Sequence, residues 1–101
     1  MGNDLSSNIP VNLYASFFHE NKLFTGIVQT LSENNMFIST SMDFPLSARL
    51  ELHIPFKDDI LRLPVMVKRF MKSNDSYNGV DLEILEPDTK YLEFVERLKS
   101  S

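Results

Sequence analysis

The chain has no cysteine, no tryptophan and only three glycines among its 101 residues. The absence of cysteine excludes disulfides, thiolate metal sites and a cysteine nucleophile. Three glycines are too few for the glycine-rich loops that surround phosphate groups. No apolar run approaches the ~20 residues of a membrane-spanning helix, and the first residues do not resemble a secretory signal. We therefore expect a cytoplasmic protein without a membrane span.

Basic side chains are scarce in the first half of the sequence. The net charge is −4, and Lys22 is the only basic residue within residues 1–48, whereas residues 49–99 carry the other nine. No basic stripe with interleaved aromatic residues is present, so the composition argues against nucleic-acid binding. A hydrophobic share of 43%, with eight phenylalanines, is sufficient for one domain with one modest core.

Alternating apolar residues predict six strands. The clearest case is residues 49–56, where Leu50, Leu52 and Ile54 point one way and polar residues the other. Gly26, inside the second strand, is expected to allow a close backbone approach. Six antiparallel strands leave two unpaired edges unless the sheet closes, so we expect a mainly β, six-stranded antiparallel barrel. The predicted strands cover residues 11–18, 23–31, 36–40, 49–56, 60–71 and 77–85.

The end of the sequence predicts an amphipathic helix packed on the barrel. After Pro87, apolar residues recur at i, i+3, i+4 and i+7: Tyr91, Phe94, Val95 and Leu98. Glu93 and Arg97 are four residues apart, a spacing at which they can form an ion pair. The expected organisation is a flexible N-terminal arm over 1–9, the barrel over 10–86 and the helix over 87–101.

The turn between the second and third predicted strands has an informative pattern. It consists of Thr30-Leu31-Ser32-Glu33-Asn34-Asn35 and is followed by Met36-Phe37-Ile38. This segment resembles the Asp/Asn-x-Ser-x-x-Gly turn of PilZ domains, small bacterial β-barrels that sense cyclic di-GMP. Ser32 matches the pattern, whereas Thr30 and Asn35 replace its first and last residues. We expect Asn35, at the glycine position, to adopt a positive φ.

Other segments resemble the same family in the same order. Residues 45–52 resemble the family's loop into a long strand, residues 65–69 its next strand, and residues 77–82 its Gly-Val-x-Phe strand. The resemblance implies a split barrel with a C-terminal helix and a signalling domain that is not an enzyme. It implies no cofactor other than cyclic di-GMP as a ligand.

The resemblance also implies where that ligand would bind. Thr30, Ser32 and Asn35 occupy the guanine-binding turn, although Ser32 could instead bond only the backbone of its own turn. The family's Arg-x-x-x-Arg arm, whose guanidinium groups bind the ligand's phosphates, falls on Asp4 and Asn8. Because neither residue is cationic and the ligand carries two negative charges, we predict weak or absent binding.

Two surface features suggest a protein partner or self-association. Lys68, Arg69 and Phe70 form a basic segment that could contact an acidic partner. Five phenylalanines cannot all face one core by strand parity, so some are expected to form an exposed patch: Phe18, Phe24, Phe37, Phe44 and Phe70. His19 and His53 are expected at the solvated surface, and we predict no metal site.

Three functional hypotheses follow. The first is a non-enzymatic adaptor in bacterial motility or second-messenger signalling, with weak or no cyclic di-GMP binding. The second is a cyclic di-GMP receptor that uses Thr30, Ser32 and basic groups from elsewhere, such as Lys22, Arg69 or a second subunit. The third is a small enzyme built on the same barrel, which would require converging titratable groups in a cleft.

Overall fold

A computed structural model describes residues 8–40, 47–73 and 76–100. Asp4, Phe44 and residues 1–7 of the predicted arm lie outside this part of the chain. The described residues form six strands and one helix: β1 Ile9–His19, β2 Lys22–Leu31, β3 Asn35–Ser39, β4 Arg49–Phe56, β5 Asp59–Ser73, β6 Ser76–Ile84 and α1 Thr89–Ser100.

The strands form one closed barrel, as the sequence predicts. Their order around the barrel is β1-β2-β3-β6-β5-β4, and every neighbouring pair is antiparallel. The barrel closes between β1 and β4, where Ser16 lies opposite His53 and Phe17 lies opposite Leu52. Closure gives each strand two hydrogen-bonded neighbours, which removes the exposed edges of an open sheet.

The core is built from the inward-facing residues of all six strands and from one face of the helix. Leu52, Leu63 and Val65 are no more than 1% exposed, and α1 contributes Tyr91 and Phe94 to the same cluster. A further contact between barrel and helix is the edge-to-face packing of Phe56 on Phe94, with ring centroids 4.6 Å apart. The helix therefore closes the core that the barrel leaves open.

Gly26 provides the close approach that its place in a strand predicts. A Cβ atom on Gly26 would lie 2.7 Å from Ile38 Cγ2 and 2.9 Å from the carbonyl oxygen of Ser39. A larger residue at this position would therefore push β3 away from β2.

The hairpins are tighter than the sequence pattern suggests. His19 pairs directly with Lys22, so the four residues between the predicted strands 11–18 and 23–31 contain a turn of only two residues. Glu20 and Asn21 both have a positive φ, 53° and 65°, which is the geometry that matches the twist of antiparallel strands.

The helix begins with a side-chain cap and does not form the ion pair that the spacing of Glu93 and Arg97 allows. The Asp88 carboxylate accepts a hydrogen bond from the Tyr91 backbone N–H at 2.9 Å. Within the described residues, no salt bridge joins Glu93 to Arg97, because exposed side chains gain little from such a contact. No helix in the described part of the chain has the length and apolar character needed to cross a membrane.

Candidate ligand-binding site

Four side-chain positions form a row across the outer face of the barrel. Thr30 on β2 lies opposite Phe37 on β3, Phe37 lies opposite Asp81 on β6, and Asp81 lies opposite Arg69 on β5. Directly opposite residues on neighbouring strands have Cβ atoms within about 5.5 Å. The row therefore places a hydroxyl, an aromatic ring, a carboxylate and a guanidinium side by side.

A β-bulge marks each end of this row. The pairing register shifts between Val28 and Thr30 on β2 and between Val67 and Arg69 on β5. In β5 the extra residue leaves both Lys68 and Arg69 exposed, while Val67 remains buried. A bulge re-aims side chains in this way because two residues oppose one on the partner strand.

The row forms the floor of a groove of about 420 Å³. Asn8 enters the groove just before β1 begins, and Asn35 lies at the start of β3. Two positive charges, on Lys68 and Arg69, and one negative charge, on Asp81, line the groove. The full lining is Asn8, Thr30, Asn35, Met36, Phe37, Lys68, Arg69 and Asp81.

The basic side of the groove is partly neutralised from within the chain. Arg69 Nε donates a hydrogen bond to Asp81 Oδ2 at 3.0 Å. The Arg69 side chain is 70% exposed and that of Asp81 is 29% exposed. An ion pair at this exposure contributes little to folding stability, so its main effect is on the electrostatic potential of the groove.

The aromatic part of the groove depends on a glycine. A Cβ atom on Gly79 would lie 1.9 Å from Phe37 Cζ. The Phe37 ring therefore lies over the backbone of β6, where only glycine leaves room for it. This packing holds the ring against the sheet, and Phe37 lines the groove.

Ser32 is used by the turn between β2 and β3. Its side chain is buried at 5% exposure, and its hydroxyl accepts the Asn35 backbone N–H at 3.2 Å. The Ser32 backbone N–H donates to the Asn35 carbonyl at 2.8 Å. Asn35 is not among the described residues with positive φ, so the prediction of a left-handed Asn35 is wrong. The turn is closed by Ser32 instead, and Asn35 already belongs to β3.

The helix holds the opposite side of the same turn. The buried Tyr91 hydroxyl donates to the Ser32 carbonyl at 2.6 Å, and Lys99 forms an ion pair with Glu33. Burial, with a smaller contribution from the Glu33 charge, raises the pKa of Tyr91 far above its usual value. The hydrogen bond from Lys99 lowers the pKa of Glu33, and the same bond raises the pKa of Lys99.

A second outward surface lies on the β1–β2 hairpin. Its largest side chains are Tyr14, Phe18 and Leu23, which are 54%, 57% and 58% exposed. We call this surface the hairpin ladder; its three cross-strand pairs are Tyr14 with Ile27, Ser16 with Thr25 and Phe18 with Leu23. None of these six residues carries a charge, so the hairpin ladder differs from the groove in chemistry as well as position.

The groove brings together most of the residues that the sequence singles out. Asn8, Thr30 and Asn35 share it with Lys68 and Arg69, which the sequence suggested as a partner contact and, for Arg69, also as a basic group near the ligand. Their role as ligand contacts stays a prediction.

Two of the predicted site residues lie elsewhere. Ser32 does not line the groove. Phe70 is partly buried against the core, because the β5 bulge turns it inward opposite Val80.

Sequence reasoning missed Phe37 and Asp81 as members of the site. Both lie on the outward parity of their strands, a signal that the sequence contains. The pairing of β3 with β6 that brings them together has no local sequence signal. Within the described residues, no three acidic, histidine or cysteine side chains converge in a way that could hold a metal ion.

The closed six-stranded barrel, the C-terminal helix and the outer groove next to the β2–β3 turn define a small helix-capped β-barrel with a polar groove on its outer face. The family model of the PilZ domain matches residues 6–99. The chain therefore belongs to the PilZ family.

Solved structures support the fold. The Bacillus subtilis inhibitor of motility MotI/DgrA superposes with a TM-score of 0.76 at 14% identity. The superposition covers 97% of this chain and 53% of MotI/DgrA. The chain thus spans about half the length of that protein. The PilZ domain of Escherichia coli YcgR with c-di-GMP gives a TM-score of 0.68 at 9% identity, and the superposition covers 90% of this chain and 84% of the YcgR domain.

The PilZ domain of CeSA from a cellulose-synthesizing bacterium gives a TM-score of 0.64 at 18% identity, and the superposition covers 92% of this chain and 94% of the CeSA domain. No curated protein matches the sequence. At these identities the similarity shows the fold alone, and it does not show what the residues of the groove bind.

Proposed function

We propose that this chain is a non-enzymatic PilZ adaptor of the bacterial cytoplasm, active in motility or second-messenger signalling through protein contacts, with weak or no binding of cyclic di-GMP. The observation that carries the proposal is the charge of the groove. Lys68 and Arg69 are its cations among the described residues, and Arg69 is already paired with Asp81.

The position of Asn8 supports weak binding. Asn8 lines the groove, where the PilZ resemblance implies the second arginine of the phosphate-binding arm. An amide cannot replace the two charged hydrogen bonds of a guanidinium. A missing hydrogen bond to a charged group costs about 1.5–3 kcal/mol, so the absence of two such bonds corresponds to a reduction in affinity of roughly a hundredfold or more.

The alternative function, a true cyclic di-GMP receptor, has one observation in its favour. Lys68 and Arg69 lie in the same groove as Thr30 and Asn35, so two basic groups from another strand could contact the phosphates. Lys22, which the sequence also suggested, lies at the β1–β2 turn and does not line the groove.

Calorimetric titration with cyclic di-GMP tests the two functions. We expect no measurable binding by the wild-type chain and micromolar binding by Asn8→Arg, because the variant restores a guanidinium beside the groove. Asn12→Arg is the matched control: it adds the same charge at an exposed residue outside the groove lining. Wild-type affinity at low micromolar or tighter would contradict the adaptor proposal and support the receptor.

The hairpin ladder supports action through protein contacts. Exposed apolar patches on a small domain commonly mark an interaction surface. We expect Phe18→Ser to abolish concentration-dependent association in light scattering, or to abolish retention of a partner in a pull-down. Ile60→Ser is the control, because Ile60 is 44% exposed at a different place on the barrel. A strictly monomeric wild-type chain that retains no partner would contradict this part of the proposal.

A further inference from the structure

The ion pair at the centre of the groove suggests how the ligand preference of this site is set. We propose that Asp81 is a specificity-determining residue: it acts as an internal counter-ion to Arg69 and thereby excludes phosphate-bearing ligands from the groove. This inference rests on the proposed function, since it explains why a PilZ groove that retains two cations would bind cyclic di-GMP weakly.

The geometry gives Asp81 direct access to Arg69. The two residues lie opposite each other on β5 and β6, and Arg69 Nε donates to Asp81 Oδ2 at 3.0 Å. A carboxylate offers the same negative charge and the same kind of acceptor oxygen as a phosphate group. Asp81 therefore makes, within the chain, a contact that a phosphate would otherwise make with Arg69.

Charge balance points in the same direction. With Asp81 ionised, two positive charges and one negative charge leave the lining with a single net positive charge. Without the Asp81 charge, the lining would carry two positive charges, equal in number to the negative charges of cyclic di-GMP. An incoming phosphate in the wild-type groove would share the Arg69 guanidinium with the Asp81 carboxylate and would lie close to its negative charge, and both effects oppose binding.

The bulge in β5 makes this arrangement possible. Because Lys68 and Arg69 both face outward after the bulge, Arg69 can be held by Asp81 while Lys68 stays beside it in the groove. No other hydrogen bond or salt bridge of Arg69 is present within the described residues. Asp81 is thus the one described side chain that neutralises the guanidinium.

The test is calorimetric titration of the full chain with cyclic di-GMP as the probe. We expect Asp81→Asn to bind at least about tenfold more tightly than the wild type, because one charged hydrogen bond becomes available to the ligand. Glu83→Gln is the matched control: it removes the same charge two residues along β6 and should leave affinity close to that of the wild type. Asp81→Ser should reproduce the gain, and thermal melting checks that each variant folds.

A double variant shows whether the affinity rises because the Arg69 guanidinium is freed or because a negative charge near the groove is lost. The gain in affinity for cyclic di-GMP should be absent when Asp81→Asn is combined with Arg69→Gln. In Asp81→Asn alone, the gain should shrink as ionic strength rises from about 0.05 M to about 0.5 M. If Asp81→Asn binds no more tightly than Glu83→Gln, or if the gain survives the loss of Arg69, the proposal is overturned.

The outcomes distinguish this inference from the proposed function. Tight binding by the wild-type chain overturns the weak-affinity adaptor. The role of Asp81 is decided by how much more tightly Asp81→Asn binds cyclic di-GMP than the wild type, or than the detection limit where the wild type shows no binding. A wild type that does not bind, together with an Asp81→Asn variant that also does not bind, retains the adaptor and overturns the role of Asp81.

Discussion

The two sides of the β2–β3 turn differ in what they contact. On one side, Thr30 and Asn35 line the groove. On the other side, the Ser32 carbonyl accepts the Tyr91 hydroxyl and Glu33 pairs with Lys99. Residues that are adjacent in the sequence therefore serve two different surfaces of the molecule.

The comparison shows that a family motif can persist for two separate reasons. Ser32 and Glu33 connect the barrel to its helix, and this connection is needed whether or not a ligand binds. The side chains of Thr30 and Asn35 line the groove, where the chemistry is free to change. A chain can thus keep the PilZ turn while its groove loses phosphate affinity, and mutations should separate the two sides.

The largest effect is expected on the helix side. Tyr91→Ala removes a fully buried ring and should lower the free energy of unfolding by about 3–5 kcal/mol. Tyr91→Phe keeps the ring but leaves the buried Ser32 carbonyl without its donor, at a cost of about 1–3 kcal/mol. Urea denaturation measures both changes.

Leu92→Ala is the matched control for the Tyr91 variants. Leu92 is the next residue on α1 and is 38% exposed, so we expect it to cost much less than Tyr91→Ala. If Tyr91→Phe is as stable as the wild type, the hydrogen bond to Ser32 does not hold the turn to the helix.

An intermediate effect is expected at the centre of the turn. Ser32→Ala removes the acceptor of the Asn35 N–H and should lower the free energy of unfolding by about 0.5–1.5 kcal/mol. Thr30→Val, on the groove side, preserves size and removes a hydroxyl for which no hydrogen bond is present among the described residues, so its stability should stay near that of the wild type. Thermal melts of the two variants make the comparison directly. Equal losses would show that both sides of the turn support the fold.

The smallest effect is expected at the exposed end of the interface between turn and helix. Because Lys99 lowers the folded-state pKa of Glu33, Glu33 adds stability above its unfolded pKa of about 4.5. That stability is lost as pH falls through the lower folded pKa. Glu33→Gln should therefore be slightly less stable than the wild type at neutral pH and equal to it in strong acid. Denaturation across this pH range tests the expectation, and a difference that persists in acid would contradict it.

The strands were predictable because each one buries a continuous face. Leu50, Leu52 and Ile54 alternate with polar residues in the sequence and are all buried in the barrel, since side chains of a strand point alternately to its two faces. The helix was predictable for the same kind of reason, from the spacing of Tyr91, Phe94 and Val95. The tight turns and the β5 bulge were not predictable, because one residue more or less leaves no clear trace in composition.

The candidate site was predictable only in part. Thr30 and Asn35 stood out because they occupy family positions next to each other in the chain. Asp81 did not stand out, because an acidic residue on the outward face of a strand is ordinary at the surface. Asp81 becomes part of the site through its ion pair with Arg69, which is twelve residues away in the sequence. The pairing of β5 with β6 brings the two side chains together.

Local patterns in the chain were enough to specify a six-stranded barrel, a C-terminal helix and the PilZ turn at Ser32, because strand alternation and helix spacing are driven by burial within each segment. The folded barrel alone establishes which of the turn residues face the groove, and that Phe37, Asp81 and Arg69 join them. Strand order and bulges set the neighbours of a side chain across the sheet, and both are properties of pairing between distant segments.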